Sequence, residues 1–333
     1  MTGREFVVAA ALVLMVGACS EADEEPDIGA PPAEDEDGSA DAAPGPDDTM
    51  AMSPPDPGPA EVELVDAGRD PQTVLRVTPE VGDVTHLRIA SDHETSGDAP
   101  ASAADGPPPV TLALEVVEVG DERIEASVAI TEVSSDDEQL ASTLMSVEGT
   151  LELDDRGRMH DLGWSIDPDE HADFDPGEPA ADGPEPVDDP TMGAVEVFEV
   201  LRLLPVFPEE PVGAGGVWTV EQASVLPAPA REMTTVTLEE LDEERYTLRT
   251  EATYGMWQEW VDWQRQAAEE NEEIHPPGLL ELDGQGAGEI EGPLDGIAPD
   301  RAGRALEITI LAESPDGEHF EDTLRIEDRL ERD

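Results

Sequence analysis

Lysine is absent from this chain: all seventeen basic side chains among its 333 residues are Arg. That excludes Schiff-base chemistry, a Ser–Lys dyad and the lysine-dependent phosphate loop. Cysteine is nearly absent too. Cys19 is the single one, so no intramolecular disulfide and no thiolate metal cluster can form. Aromatic residues make up only 4% of the chain. The six His, at 86, 93, 160, 171, 275 and 319, form no HExxH and no other close pair. No Gly-x-Ser-x-Gly elbow and no dinucleotide fingerprint occurs, and no spacing sets two carboxylates together in an apolar context. These absences lead to the expectation of no enzyme, no cofactor and no metal. One acidic stretch, Asp167-x-Asp169-x-x-x-Asp173-x-Asp175, has the look of a calcium loop with Glu178 at its twelfth position. Ala172 stands where the sixth-position Gly is required, so it reads as a solvated acidic loop.

Acid is in large excess, with 82 Asp and Glu and a formal charge of −65. A polyanion would repel such a chain, which excludes non-specific nucleic-acid binding. The same repulsion opposes docking on anionic headgroups, keeps the protein soluble and favours a monomer.

Long apolar runs are missing as well. The one substantial run, Phe6 to Gly17, is too short to span a bilayer core, which needs ~20 residues. Arg4 precedes it, and Val16-Gly17-Ala18 leads directly into Cys19. This layout is a signal peptide whose small-residue site is followed at once by Cys. It resembles a bacterial lipobox, in which the thiol is diacylated and the chain is cut just before it. The resemblance implies a signal peptide over 1–18 and a lipidated Cys19. It also implies an exported protein on the extracytoplasmic face of a membrane, inner or outer. Residues 19–60 have few large apolar side chains and no basic one, and read as a disordered acidic tether. Similar composition predicts mobile loops near 96–109 and 167–190.

The rest, 61–333, reads as one β-rich α+β domain. Val110–Val119 and Ile124–Val133 alternate on either side of Gly120-Asp121, a hairpin signature. Thr143–Leu153 and Met159–Ile166 flank a second turn at 154–157, and Val74–Val77 and Thr85–Ile89 read as extended. Met192–Leu204 breaks the alternation. Glu196, Glu199 and Arg202 recur at threes, leaving an otherwise apolar helix that must be buried. A second helix is expected from about Tyr254 to Glu273, carrying Trp257, Trp260 and Trp263. Turn landmarks recur in order in the two halves: Pro79–Gly82 with Pro211–Gly213, Val110–Leu112 with Val236–Leu238, and Asp155–Arg158 with Asp300–Arg304. They predict two antiparallel meanders, whether or not by duplication, in one large curved sheet, half-barrel or barrel-like, around the apolar helix.

Before one strand the chain reads Pro208-x-x-Pro211-Val212-Gly213-x-Gly215-x-x-Trp218. With a Gly-x-Gly at 286–288, this plan resembles a family of bacterial secreted lipoproteins that share the motif. The resemblance implies fold and address, with no activity attached. Physically the motif reads as a structural corner. The prolines hold an extended lead-in, the glycines allow close backbone approach, and Trp218 anchors the strand. More loosely, a curved sheet with helices is similar in architecture to half-barrel carriers of lipids and lipoproteins. Two functions therefore stand open. One is a binding module that holds an apolar or amphipathic ligand against Val195, Phe198, Leu201, Trp257, Trp260 and Trp263. The other is an envelope lipoprotein with a fully packed core that meets another envelope protein through its loops.

Overall fold

The computed structural model describes residues 58–97, 106–120, 123–166, 197–224, 229–242, 244–270, 278–313 and 319–333. Cys19, the leader, nearly all of the acidic tether and the 167–190 segment lie outside them. Of the expected loop at 96–109, residues 96 and 97 end a strand, 106–109 are described, and the remainder lies outside.

Twelve strands form one antiparallel sheet that does not close. In chain order they are β1 (Glu61–Asp66), β2 (Val84–Gly97), β3 (Val110–Val119), β4 (Ile124–Val133), β5 (Val147–Leu153) and β6 (Met159–Ile166). Then follow β7 (Val217–Ser224), β8 (Ala230–Leu241), β9 (Arg245–Met256), β10 (Gly278–Pro293), β11 (Arg301–Glu313) and β12 (His319–Arg332). The sheet order is β1-β7-β8-β9-β10-β11-β12-β2-β3-β4-β5-β6. Two meanders, β2–β6 and β7–β12, are thus joined where the last strand pairs with β2, from Asp322–Gly97 to Arg332–Leu87. The recurring landmarks lead into β2 and β7 and, at Asp155–Arg158 and Asp300, meet the β5–β6 and β10–β11 turns, but Val110–Leu112 opens β3 while Val236–Leu238 lies late in β8 and Arg301–Arg304 lies within β11.

Period-two alternation selects the buried face. In β3, Val110, Leu112, Leu114 and Val116 are buried; in β4, Ile124, Ala126, Val128 and Ile130 are. Each large side chain so buried contributes roughly 1.5–3 kcal/mol relative to exposure. The main core fills the space between these strands, β7–β9 and the central segment.

Three sequence expectations need correction. The strand expected from Thr143 begins at Val147, because α1 (Glu138–Met145) occupies its start. Asp137 caps that helix, its carboxylate accepting from the amides of Gln139 (2.9 Å) and Leu140 (3.0 Å). Tyr254 lies in β9, and the second helix, α2, runs from Gln258 to Glu270. Val74–Val77 is no strand: the neighbouring Thr73 makes an isolated bridge to Val212, while Leu75 and Val77 are buried. The central apolar segment is helical at 197–199 and tightens into a 3-10 turn, Val200–Leu203, before Leu204 turns extended ahead of Pro205.

Between the two sheet edges, β6 and β1, the chain is stitched by connections. Arg156, in the β5–β6 turn, is buried. Its guanidinium donates to the carbonyls of Leu75 (3.3 Å), Pro208 (2.5 Å) and Glu209 (3.0 Å). Its own carbonyl accepts from Phe207 N–H (2.9 Å), and that of Asp155 accepts from Val77 N–H (2.9 Å). Buried Asp154 fixes the turn by accepting from the amides of Arg156 (2.9 Å) and Arg158 (3.0 Å). Gly157 follows at φ +79°, and a Cβ there would lie 2.1 Å from the Pro205 carbonyl. The motif residues continue the same seam. Val212 pairs with Thr73, and Gly213 N–H donates to Ala67. A Cβ on Gly213 would stand 1.9 Å from the Arg69 carbonyl. Gly215, at φ +84°, donates to Leu238, and fully buried Trp218 donates from Nε1 to Val206 (2.9 Å). Pro208 and Pro211 hold the lead-in to that corner.

Arg156→Met would leave three carbonyls without their charged donor, at about 1–3 kcal/mol for each that stays buried. Gly157→Ala combines a positive φ with a backbone clash. Both should lower the urea midpoint of the full chain by several kcal/mol equivalent, whereas Arg249→Met, on an exposed strand face, should leave it nearly unchanged.

Candidate ligand cavity on the sheet

Strand register carries polar residues onto one face in transverse rows. One row runs Val236, Thr250, Gly288, Arg304, Asp328, Ser91 across β8 to β12 and into β2. The next runs Thr234, Ala252, Gly286, Leu306, Ile326, His93, and the next begins Glu232, Tyr254, Gly284, Ile308. Glycine at the β10 position of each row makes space. A Cβ on Gly286 would meet Leu306 Cδ2 at 2.4 Å, and one on Gly288 the Gly303 carbonyl at 2.3 Å. The sheet therefore packs inward over β10, and the segment 199–206 crosses the opening.

Two adjoining cavities of about 60 Å³ each remain there. They share Arg202, Glu232, Tyr254, Arg304 and Leu306 as lining. Most other walls are aliphatic, supplied by the central segment and by β7 to β12.

The polar groups are fixed. Arg304 donates from Nε to Asp328 (2.8 Å), and Asp328 accepts from Ser91 Oγ (2.6 Å). Arg202 donates from Nε to Glu199 (2.6 Å), which also accepts from Ser224 Oγ (3.1 Å). Glu232 accepts from Thr234 Oγ1 (2.7 Å) and Gln222 Nε2 (3.3 Å), while its nearest guanidinium nitrogen, on Arg304, is 3.9 Å away. Burial opposes the charge on Arg304, but Tyr254, Asp328 and Glu232 together outweigh it and hold the guanidinium above its ordinary pKa. Burial, reinforced by Glu232, pushes the Tyr254 phenol far above its ordinary range. Tyr254 is 6% exposed, and its Oη is buried close to Glu232 without an aligned hydrogen-bond partner.

Ser91, His93 and Asp328 superficially form a nucleophile constellation. Ser91 has one proton and gives it to Asp328 at 2.6 Å, so His93 Nε2, at 2.9 Å, must be the donor to Ser91 Oγ. A hydroxyl pinned this way is not activated. Among the described residues, no group of His, Asp and Glu is arranged to hold a metal ion.

The sequence-predicted groove residues fall elsewhere. Phe198 and Leu201 are buried in the main core, and Trp257, Trp260 and Trp263 gather with Ala223 in a separate cluster. None of the five lines the cavities. Val195 and Cys19 lie outside the described residues, as does the acidic stretch at 167–178. Glu232, Tyr254, Arg304 and Asp328 were not singled out from sequence. The available signal was a charged residue at an inward strand position, as in Ala230, Glu232, Thr234, Val236, Leu238. No protein-family model, curated protein or solved structure matches this chain, so the reading rests on its own residues.

Two outcomes follow from this geometry. Burial holds the His93 imidazole below its ordinary 6.5, against the opposing pull of Asp328 and Asp92. A depressed folded pKa means the unfolded chain takes up the proton first. Stability is therefore full above about pH 6.5 and falls as pH drops through the folded value, and His93→Gln should flatten that part of the curve in urea titrations. The Trp cluster is packed: Trp257 is 2% and Trp260 8% exposed. Trp260→Ala should cost about 3–5 kcal/mol of unfolding free energy; an unchanged midpoint would make the cluster a dispensable surface cover.

Proposed function

We propose that the chain is an extracytoplasmic lipoprotein, tethered by lipid on Cys19, whose sheet holds a small amphipathic ligand in the Tyr254 cavity. The Tyr254 hydroxyl carries the reading. A buried phenol without an aligned partner forgoes roughly 1–3 kcal/mol, and it does so at a largely apolar, partly open recess with a few fixed polar groups. That combination is the usual make-up of a small-molecule site. The lipobox-like sequence at Cys19 and the acidic segment after it support the address. No helix among the described residues is long and apolar enough to cross a membrane.

One observation favours the packed-core alternative. Each cavity has about 60 Å³ of free space, room for a ligand head or a few waters, since about 10–15 Å³ of such space holds one water. An acyl chain does not fit inside, and a ligand would bury only its head there.

Native mass spectrometry of the full chain, expressed with its leader and extracted from its own membrane, tests both halves. The expected spectrum shows a diacylglyceryl mass on a chain beginning at Cys19, plus a low-mass non-covalent adduct. Thr250→Phe, which fills the recess, should keep the first and lose the second. An unmodified N-terminus elsewhere would overturn the anchor. An adduct absent from wild type, or unaffected by Thr250→Phe, would leave the packed-core lipoprotein standing.

A further inference from the structure

The charges around the cavities do not balance. Among the described residues, Glu199, Glu232 and Asp328 face Arg202 and Arg304 across the cavities, and burial lowers the His93 pKa and so favours its neutral form. One negative charge is left over, and hydrogen-bond geometry locates it. Glu199 has Arg202 at 2.6 Å and Asp328 has Arg304 at 2.8 Å. Glu232, 6% exposed, accepts from the neutral donors Thr234 and Gln222, and its cation among the described residues is Arg304 at 3.9 Å, which Asp328 holds more closely. A buried carboxylate that shares its one guanidinium with a second, closer carboxylate is costly unless something positive completes it.

The second observation is independent of that count. The Tyr254 oxygen is buried beside the same carboxylate with no donor directed to it. Its lone pairs are therefore open to accept. Glu232 and Tyr254 are directly opposed in the β8–β9 ladder and line both cavities. Two acceptors thus converge on one recess whose other walls are mostly aliphatic.

We infer that the recess takes an organic monocation, a protonated amine on an apolar body, with its ammonium between the Glu232 carboxylate and the Tyr254 oxygen. This rests on the reading of the recess as a ligand site. An alkyl carboxylate would double the uncompensated charge, and an alcohol would leave it in place. An ammonium removes it and brings three donors to two waiting acceptors. The formal charge of −65 works in the same direction at long range, concentrating cations near the chain.

The test compares n-hexylamine, n-hexanol and hexanoate with the full chain by isothermal titration at pH 7. Salt near 0.5 M screens exposed carboxylates. The amine should bind with a stoichiometry of one and roughly 10- to 100-fold more tightly than the alcohol, the scale of one buried charge-assisted contact, and the acid should not bind. Glu232→Gln keeps the shape and an acceptor oxygen but removes the extra charge, so amine and alcohol should then bind alike. Tyr254→Phe should weaken the amine while leaving the urea midpoint at or above wild type, since the unpartnered hydroxyl is removed. Alcohol or acid bound as tightly as amine, or amine binding indifferent to Glu232→Gln, overturns the cation assignment while the recess remains a ligand site. Binding of none of the three, with the wild type fully folded, overturns the recess itself and the assignment with it.

Discussion

The guanidinium of Arg156 is the contact on which the rest of the structure depends. An open sheet of twelve strands has two free edges and cannot close its core by strand pairing alone. Here the gap is filled by two irregular connections, 67–83 and 204–216, whose backbone polar groups need partners once water is excluded. Arg156 supplies donors to both connections from the tip of a third element, the β5–β6 turn. A guanidinium suits this because it presents several donors in one plane and stays charged when buried. The glycines of the seam fit the same constraint, since Gly157 and Gly213 sit where any side chain would strike a carbonyl.

That seam also sets the recess. Arg156 fixes the backbone at Phe207, Pro208 and Glu209, immediately after the segment that crosses the sheet. Arg202, Leu203, Leu204 and Val206 of that segment form one wall of the cavity. The opposite wall is the β8–β12 ladder, in which β10 glycines let Leu306 lie inward. The gap between a tied segment and a glycine-lined sheet is where Glu232 and Tyr254 meet.

Much of the fold was legible because alternation is local. The β3–β4 hairpin could be read from Val110 to Val133, since each buried position is two residues from the next. The buried central segment was legible from the threefold spacing of Glu199 and Arg202. Two local signals were misread. Asp137 ahead of Glu138 is a helix start, but the aliphatic residues from Leu144 onward spelled a strand through it. Trp257, Trp260 and Trp263 drew the second helix back into β9, although only the latter two lie within α2. The candidate site was not legible in the same way. Glu232, Arg304 and Asp328 come from three strands, and their meeting depends on register across β8 to β12, which no single segment encodes. Phe198 and Leu201 read equally well as groove or core, because an apolar side chain has the same pattern in either place.

Native-state hydrogen exchange of Arg156→Lys tests the seam most directly. Lysine keeps the charge but loses the planar set of donors that reaches Leu75, Pro208 and Glu209 together. The account predicts that the amides of Val77 and Phe207, bonded across the seam, lose most of their protection. The ladder amides of Leu114 and Val128 should remain at the rate of global unfolding. Unchanged protection at Val77 and Phe207, or an equal loss at all four amides, would contradict it.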